Sequence, residues 1–155
     1  MGLVKYWLWV SGPDYYFNPD GTDRDILDPE FSKRKRVSWS CHKDTKAGDL
    51  ILLWRTAPKT DMGYLIVAKT DAYFPSKFFQ FLRGEWEVMC EYKVLCKFKN
   101  PLNVKDLRKI PEISDWRALK MCFQGSNFTI PGDTWDILID RIKEKNPDYK
   151  KVLNN

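Results

Sequence analysis

The chain has 155 residues, a formal net charge of +5 from 26 Lys and Arg against 21 Asp and Glu, and an aromatic content of 15% within a hydrophobic fraction of 43%. That length suits a single domain spanning 1–155, large enough to bury about two-thirds of its unfolded surface, and so aromatic a composition excludes a disordered chain. The basic balance favours an anionic partner, and no apolar stretch approaches the ~20 residues of a membrane-spanning helix.

Lys5 to Val10 reads as a first strand, rich in aromatic and β-branched residues, and Ser11-Gly12-Pro13-Asp14 breaks it. Residues 14–32, with three prolines from Pro13 on and Gly21, are expected to form a long surface loop with one short helical turn. Loops of that length in compact domains often carry function. Arg36 to Cys41 predicts a second strand, with Val37, Trp39 and Cys41 on one face and Ser38 and Ser40 on the other.

Gly48-Asp49 launches a third strand, Leu50 to Arg55, apolar without alternation and so expected to be buried on both faces. Asp49 suits the backbone amides of that turn. A fourth strand, Gly63 to Asp71, pairs with the third as a hairpin, and Phe74 to Leu82 reads as a loop or short helix. Trp86 to Lys99 alternates clearly, broken only by Met89 and Leu95. Its fourteen residues would span about 46 Å, so the strand must bend or carry a bulge.

Asn103 to Ile110 predicts a helix, with Asn103 as N-cap, Asp106 three residues on, and Pro111 at its end. Trp116 to Phe123 is ambiguous between helix and strand, and Phe128 to Ile130 reads as a last short strand. Asp133 to Lys145 predicts a helix capped by Gly132 or Asp133, with Trp135, Leu138, Ile139 and Ile142 in one apolar stripe. The expected fold class is therefore α+β: a small curved mixed sheet or barrel of five to six strands with flanking helices.

Three segments place cations beside aromatic rings, the pairing that holds phosphates and stacks bases. In the first, Lys33, Arg34, Lys35 and Arg36 lead into Ser38-Trp39-Ser40. The four cations are a candidate phosphate clamp, Trp39 a candidate cage wall, and the backbone of Ser40 a candidate reader of a base edge. The second segment ends in Trp54-Arg55 and offers Trp54 as a pocket floor. The third, Phe74 to Phe81 beside Tyr73, offers Tyr73, Phe74 and Phe79 as a lid.

The four cysteines include no C-x-x-C spacing and the single histidine is His42, so neither a zinc site nor a metal or other cofactor is expected. Cys90 and Cys96 fall on one face of the alternating strand and are expected to be core thiols, a usage that suits a reducing cytoplasm. Met1 to Trp7 lacks the basic and apolar regions of a signal peptide, so a soluble cytoplasmic protein with no membrane partner is expected. No Gly-rich phosphate loop or G-x-S-x-G occurs, and Cys41 and His42 would point to opposite sides of a strand; we expect no catalytic residues and no enzymatic activity.

The ordered set Tyr6-Trp7-Leu8-Trp9-Val10, Val37-Ser38-Trp39, Lys46-Ala47-Gly48-Asp49-Leu50, Gly63-Tyr64-Leu65-Ile66-Val67-Ala68 and Trp86-Glu87-Val88 resembles the EVE domain, a PUA-like barrel related to YTH domains. The resemblance runs from about Lys5 to Ile142. It implies a binder of DNA or RNA carrying a modified base, held in an aromatic cage. Trp39 inherits the role of one cage tryptophan, the loop after the fourth strand supplies another aromatic, and Asn127 matches a loop that contacts nucleic acid. Two alternatives stay open: a binder of a flat metabolite or nucleoside, and a non-catalytic protein-interaction domain.

Overall fold

The computed structural model describes residues 3–75 and 88–148. In chain order these form β1 (Tyr6–Ser11), α1 (Pro13–Tyr16), a 3-10 turn (Asp25–Leu27), α2 (Pro29–Arg34), β2 (Ser38–Ser40), β3 (Leu50–Arg55), β4 (Asp61–Ala68), β5 (Met89–Asn103), α3 (Val104–Arg108), a second 3-10 turn (Pro111–Ile113), α4 (Arg117–Lys120), β6 (Asn127–Thr129) and α5 (Gly132–Lys145). The six strands make one curled half-barrel sheet in the order β2-β5-β4-β3-β1-β6, so the expected α+β class is the observed one. β1 runs parallel to β3, and the other neighbours are antiparallel.

The sheet carries a core on each face. From β3, Ile51 and Leu53 join Trp7, Trp9, Tyr64 and Tyr92 in one, while Leu52 and Trp54 join Leu8, Leu65, Phe98 and Leu138 in the other. This two-sided burial is why the third strand shows no alternation.

Bulges decide which core a residue joins. Leu65 pairs with Cys96 but Ile66 with Val94, so Leu95 is an extra residue with no opposite number. The insertion flips the side-chain parity of β5: Cys90, Tyr92 and Val94 face one core, and Cys96, Phe98 and Leu102 the other. The expectation that Cys90 and Cys96 share a face is therefore corrected, although both thiols are buried and free. A second bulge lies at Gly63, because Leu53 pairs with Tyr64 and Trp54 with Met62. Hence β4 begins before Gly63 rather than at it. The expected start of β5 at Trp86 and most of the Phe74–Leu82 segment, including Phe79, lie outside the described residues.

The segment 14–32, expected to be a surface loop with one short helical turn, carries three. It folds into α1, a 3-10 turn and α2, and it buries Tyr16, Leu27 and Ser32 completely. Asp28 caps α2 by accepting from the Glu30 amide, and Ser32 Oγ accepts the Val94 amide of β5 at 2.9 Å. Short helical turns carry too few residues to show a period, so the sequence pattern could not display them. The remaining helices follow their signals. Asn103 and Asp106 form a reciprocal capping box on α3, and Trp135, Leu138 and Ile142 bury the stripe of α5, whose N-cap is Pro131 rather than Gly132 or Asp133. No helix among the described residues is long and apolar enough to cross a membrane.

Candidate base-binding cleft

β2 ends the sheet, and its hydrogen-bond parity determines what its open side offers. The Tyr92 amide donates to Val37 O and the Cys41 amide to Val88 O, so residues 37, 39 and 41 bond towards β5. In an antiparallel pair the intervening residues turn their backbone groups the other way. The amides and carbonyls of Ser38 and Ser40 therefore face outward along the open edge of β2.

The Trp39 ring stands beside that edge. It stacks parallel to buried Trp9, with centroids 6.2 Å apart and planes 6° apart, and it meets Tyr92 edge-on at 6.2 Å. Exposed Tyr15, from α1, approaches it at 5.7 Å and 63°. Three rings thus hold Trp39 in one orientation while leaving it half-buried. In front of it opens a cleft of about 570 Å³, lined by Trp39, both serines and Tyr15, by Arg24 from the 14–32 segment, and by Gly125 beyond α4. Arg24 is anchored by its own amide to Tyr16 O and by Nη1 to Asp14 O. Burial pushes the Tyr92 hydroxyl well above its ordinary pKa, and this neutral phenol donates to Ile26 O at 2.7 Å on the cleft wall.

The sequence-derived candidates distribute unevenly around this cleft. Trp39 and Ser40 line it. Tyr73 reaches its wall, with its hydroxyl 3.2 Å from Ser38 Oγ, and Phe74 follows it, largely exposed. Trp54 is elsewhere: 3% exposed, it stacks on Phe123 at 3.8 Å in the opposite core, because even-numbered positions of β3 face away from Trp39. The pocket-floor expectation for Trp54 is corrected on that parity. Asn127 lines a neighbouring groove rather than this cleft.

Lys33, Arg34, Lys35 and Arg36 are exposed at the end of α2 and beyond it, outside the cleft lining, with Lys33 paired to Glu30 and Arg36 to Glu91. The cleft's own cation is Arg24. Sequence reading passed over Arg24 and Tyr15; the one signal for them was the unusual length of the 14–32 segment. Asp49 does what its position implied, accepting from the Lys5 and Lys46 amides and from Trp7 Nε1. Among the described residues no group of His, Cys, Asp and Glu is arranged to hold a metal ion.

Comparison with known proteins returns no match among curated sequences. Solved structures share the fold at low identity. An Agrobacterium tumefaciens protein superposes with a TM-score of 0.68 at 14% identity, covering 93% of this chain and 97% of its own. A Pseudomonas syringae protein gives 0.68 at 14%, covering 88% and 99%. Human THYN1 protein, crystallised in complex with 5-methylcytosine-containing DNA, gives 0.66 at 13%, covering 90% and 98%. The family profile described as the EVE domain matches residues 5–141, nearly the whole chain, and the chain belongs to that family.

Proposed function

We propose that this chain binds nucleic acid and holds a modified base, extruded from its strand, against Trp39. The observation that carries this reading is the Trp39 ring itself, fixed by Trp9, Tyr92 and Tyr15 yet still facing a cleft at an open strand edge. A preset aromatic face loses little freedom when a base stacks on it, and each stacked base contributes about 1–3 kcal/mol. That range matches the few kcal/mol needed to unstack the base from its strand. The outward backbone groups of Ser38 and Ser40 supply donors and acceptors for the base's hydrogen-bonding edge. Arg24 supplies the positive charge for the phosphate beside it. The structural similarity to THYN1, solved with 5-methylcytosine-containing DNA, supports DNA as the first partner to test.

A nucleoside-binding reading draws support from one observation: Lys33 to Arg36 lie off the cleft, two of them already paired with glutamates. One titration separates the two. The pure chain is mixed with DNA and RNA oligomers carrying 5-methylcytosine, 5-hydroxymethylcytosine, N6-methyladenine or no modification, at two salt concentrations, alongside Trp39→Ala. We expect a salt-sensitive preference for one modified oligomer, lost in Trp39→Ala. Binding of the free nucleoside alone, indifferent to salt, would replace this reading with the second.

A further inference from the structure

Beside the Trp39 cleft lies a second groove of about 350 Å³, and Gly125 lines both. The groove has three features that suit a nucleotide. Its floor is a ring pair, His42 stacked on Trp7 at 4.9 Å and 21°. His42 Nδ1 accepts the Asp44 amide at 3.0 Å, so in the neutral imidazole the proton sits on Nε2, a donor. Its rim carries exposed Arg117, whose Nε contacts Met121 Sδ at 3.5 Å, and Asn127 adds an amide.

The ridge between groove and cleft is wound unusually tightly. Cys122 and Phe123 adopt positive φ of 52° and 59°, and Gly125 sits at φ 146°. A Cβ on Gly125 would stand 3.0 Å from the Phe128 ring. The positive φ and the buried Phe128 ring reserve this position for glycine, which keeps the ridge in its tight turn between the two sites. The strain is held by Phe123, stacked on Trp54.

Resting on the Trp39 reading, we infer that this groove is a subsite for the adjacent nucleotide. The strand that delivers its base to Trp39 crosses Gly125, and its neighbouring phosphodiester meets Arg117 and His42. Asn127 then belongs to the flanking nucleotide and not to the modified base.

The test uses DNA dodecamers carrying one 5-methylcytosine or one N6-methyladenine, with the full chain, Trp39→Ala and Arg117→Gln. Arg117 is exposed, so the variant keeps its fold, checked by circular dichroism. For Arg117→Gln we expect about tenfold weaker binding and a salt slope smaller by about 0.7–0.9, the share of one phosphate. Dodecamers are then shortened up to the modified base from one side or the other. On one side only, shortening should reproduce the Arg117→Gln loss and make that substitution neutral. If Trp39→Ala abolishes binding while Arg117→Gln changes neither affinity nor slope, the subsite is overturned and the cleft stands. If the loss in Arg117→Gln is independent of both flanks, the subsite is likewise overturned. If the wild-type chain binds neither these dodecamers nor any other oligomer of the DNA and RNA panel, the Trp39 reading itself falls, and the subsite with it.

Discussion

Arg55 and Asp61 show how far one buried pair can constrain its neighbours. Their side chains are 5% and 8% exposed and joined by two bonds, Nε to Oδ1 at 2.7 Å and Nη2 to Oδ2 at 2.9 Å. The guanidinium also lies over the rings of Tyr16 and Tyr64, at 5.9 and 5.6 Å. Removing one charge leaves the other buried without its partner. Asp61→Asn is therefore expected to cost about 3–5 kcal/mol, whereas breaking exposed Lys33–Glu30 should cost under about 1 kcal/mol. Gly63 belongs to the same unit, since a Cβ there would stand 2.6 Å from Arg55 Nε. Gly63→Ala must push the guanidinium off Asp61, and a loss of about 1–3 kcal/mol is expected. Because both substitutions break one interaction, urea midpoints should show the double variant less destabilised than the sum of the singles.

At the scale of elements, the cap of α3 was plain in the sequence, that of α5 was misplaced onto Gly132 or Asp133, and the bulges were half visible. Asn103 and Asp106 announced their capping box by residue type and spacing, because capping is local chemistry. Leu95 announced a break in alternation, but only the pairing with β4 shows that the break is an insertion that moves Cys96 to the other core. The short turns of 14–32 were hidden because their stability comes from packing Tyr16 and Leu27 beneath them, not from their own pattern.

Asp106 links two such elements. Besides capping α3 it accepts from Lys145 of α5 at 2.8 Å, and chiefly through that bond its carboxyl titrates below its ordinary value of 3.8. A folded value below the unfolded one means that the folded chain holds fewer protons. The resulting stability is present above 3.8 and is lost as pH falls through the folded value. Asp106→Asn should thus be less stable than wild type at neutral pH, and the difference should shrink as thermal melts are moved below pH 3.8.

The cleft is a property of the whole molecule, assembled by curling the sheet until residues around positions 12–40 meet Met89 and the 125–126 ridge. Trp39 was legible because cations and serines beside an aromatic mark a half-exposed strand. Arg24 and Gly125 were not, because nothing local says which distant segments the curl will bring together. The same long-range packing sorts the four thiols. Cys41 and Cys90 are buried side by side in one core and Cys96 in the other, while Cys122 is exposed on the ridge. Burial also raises the pKa of Cys96, lowering its thiolate fraction further. An aromatic disulfide reagent should consequently modify one thiol rapidly in the native chain and all four in denaturant. The three slow thiols react only through opening of the fold, so their rate measures how often it opens. A ligand that binds only the folded chain makes opening rarer by the factor 1 + [L]/Kd. Adding the modified DNA that binds best should therefore slow those three by that factor, using the Kd measured by titration. A slowing confined to Cys122 would instead mean that the DNA covers the ridge and that the three buried thiols react through local openings which leave it bound.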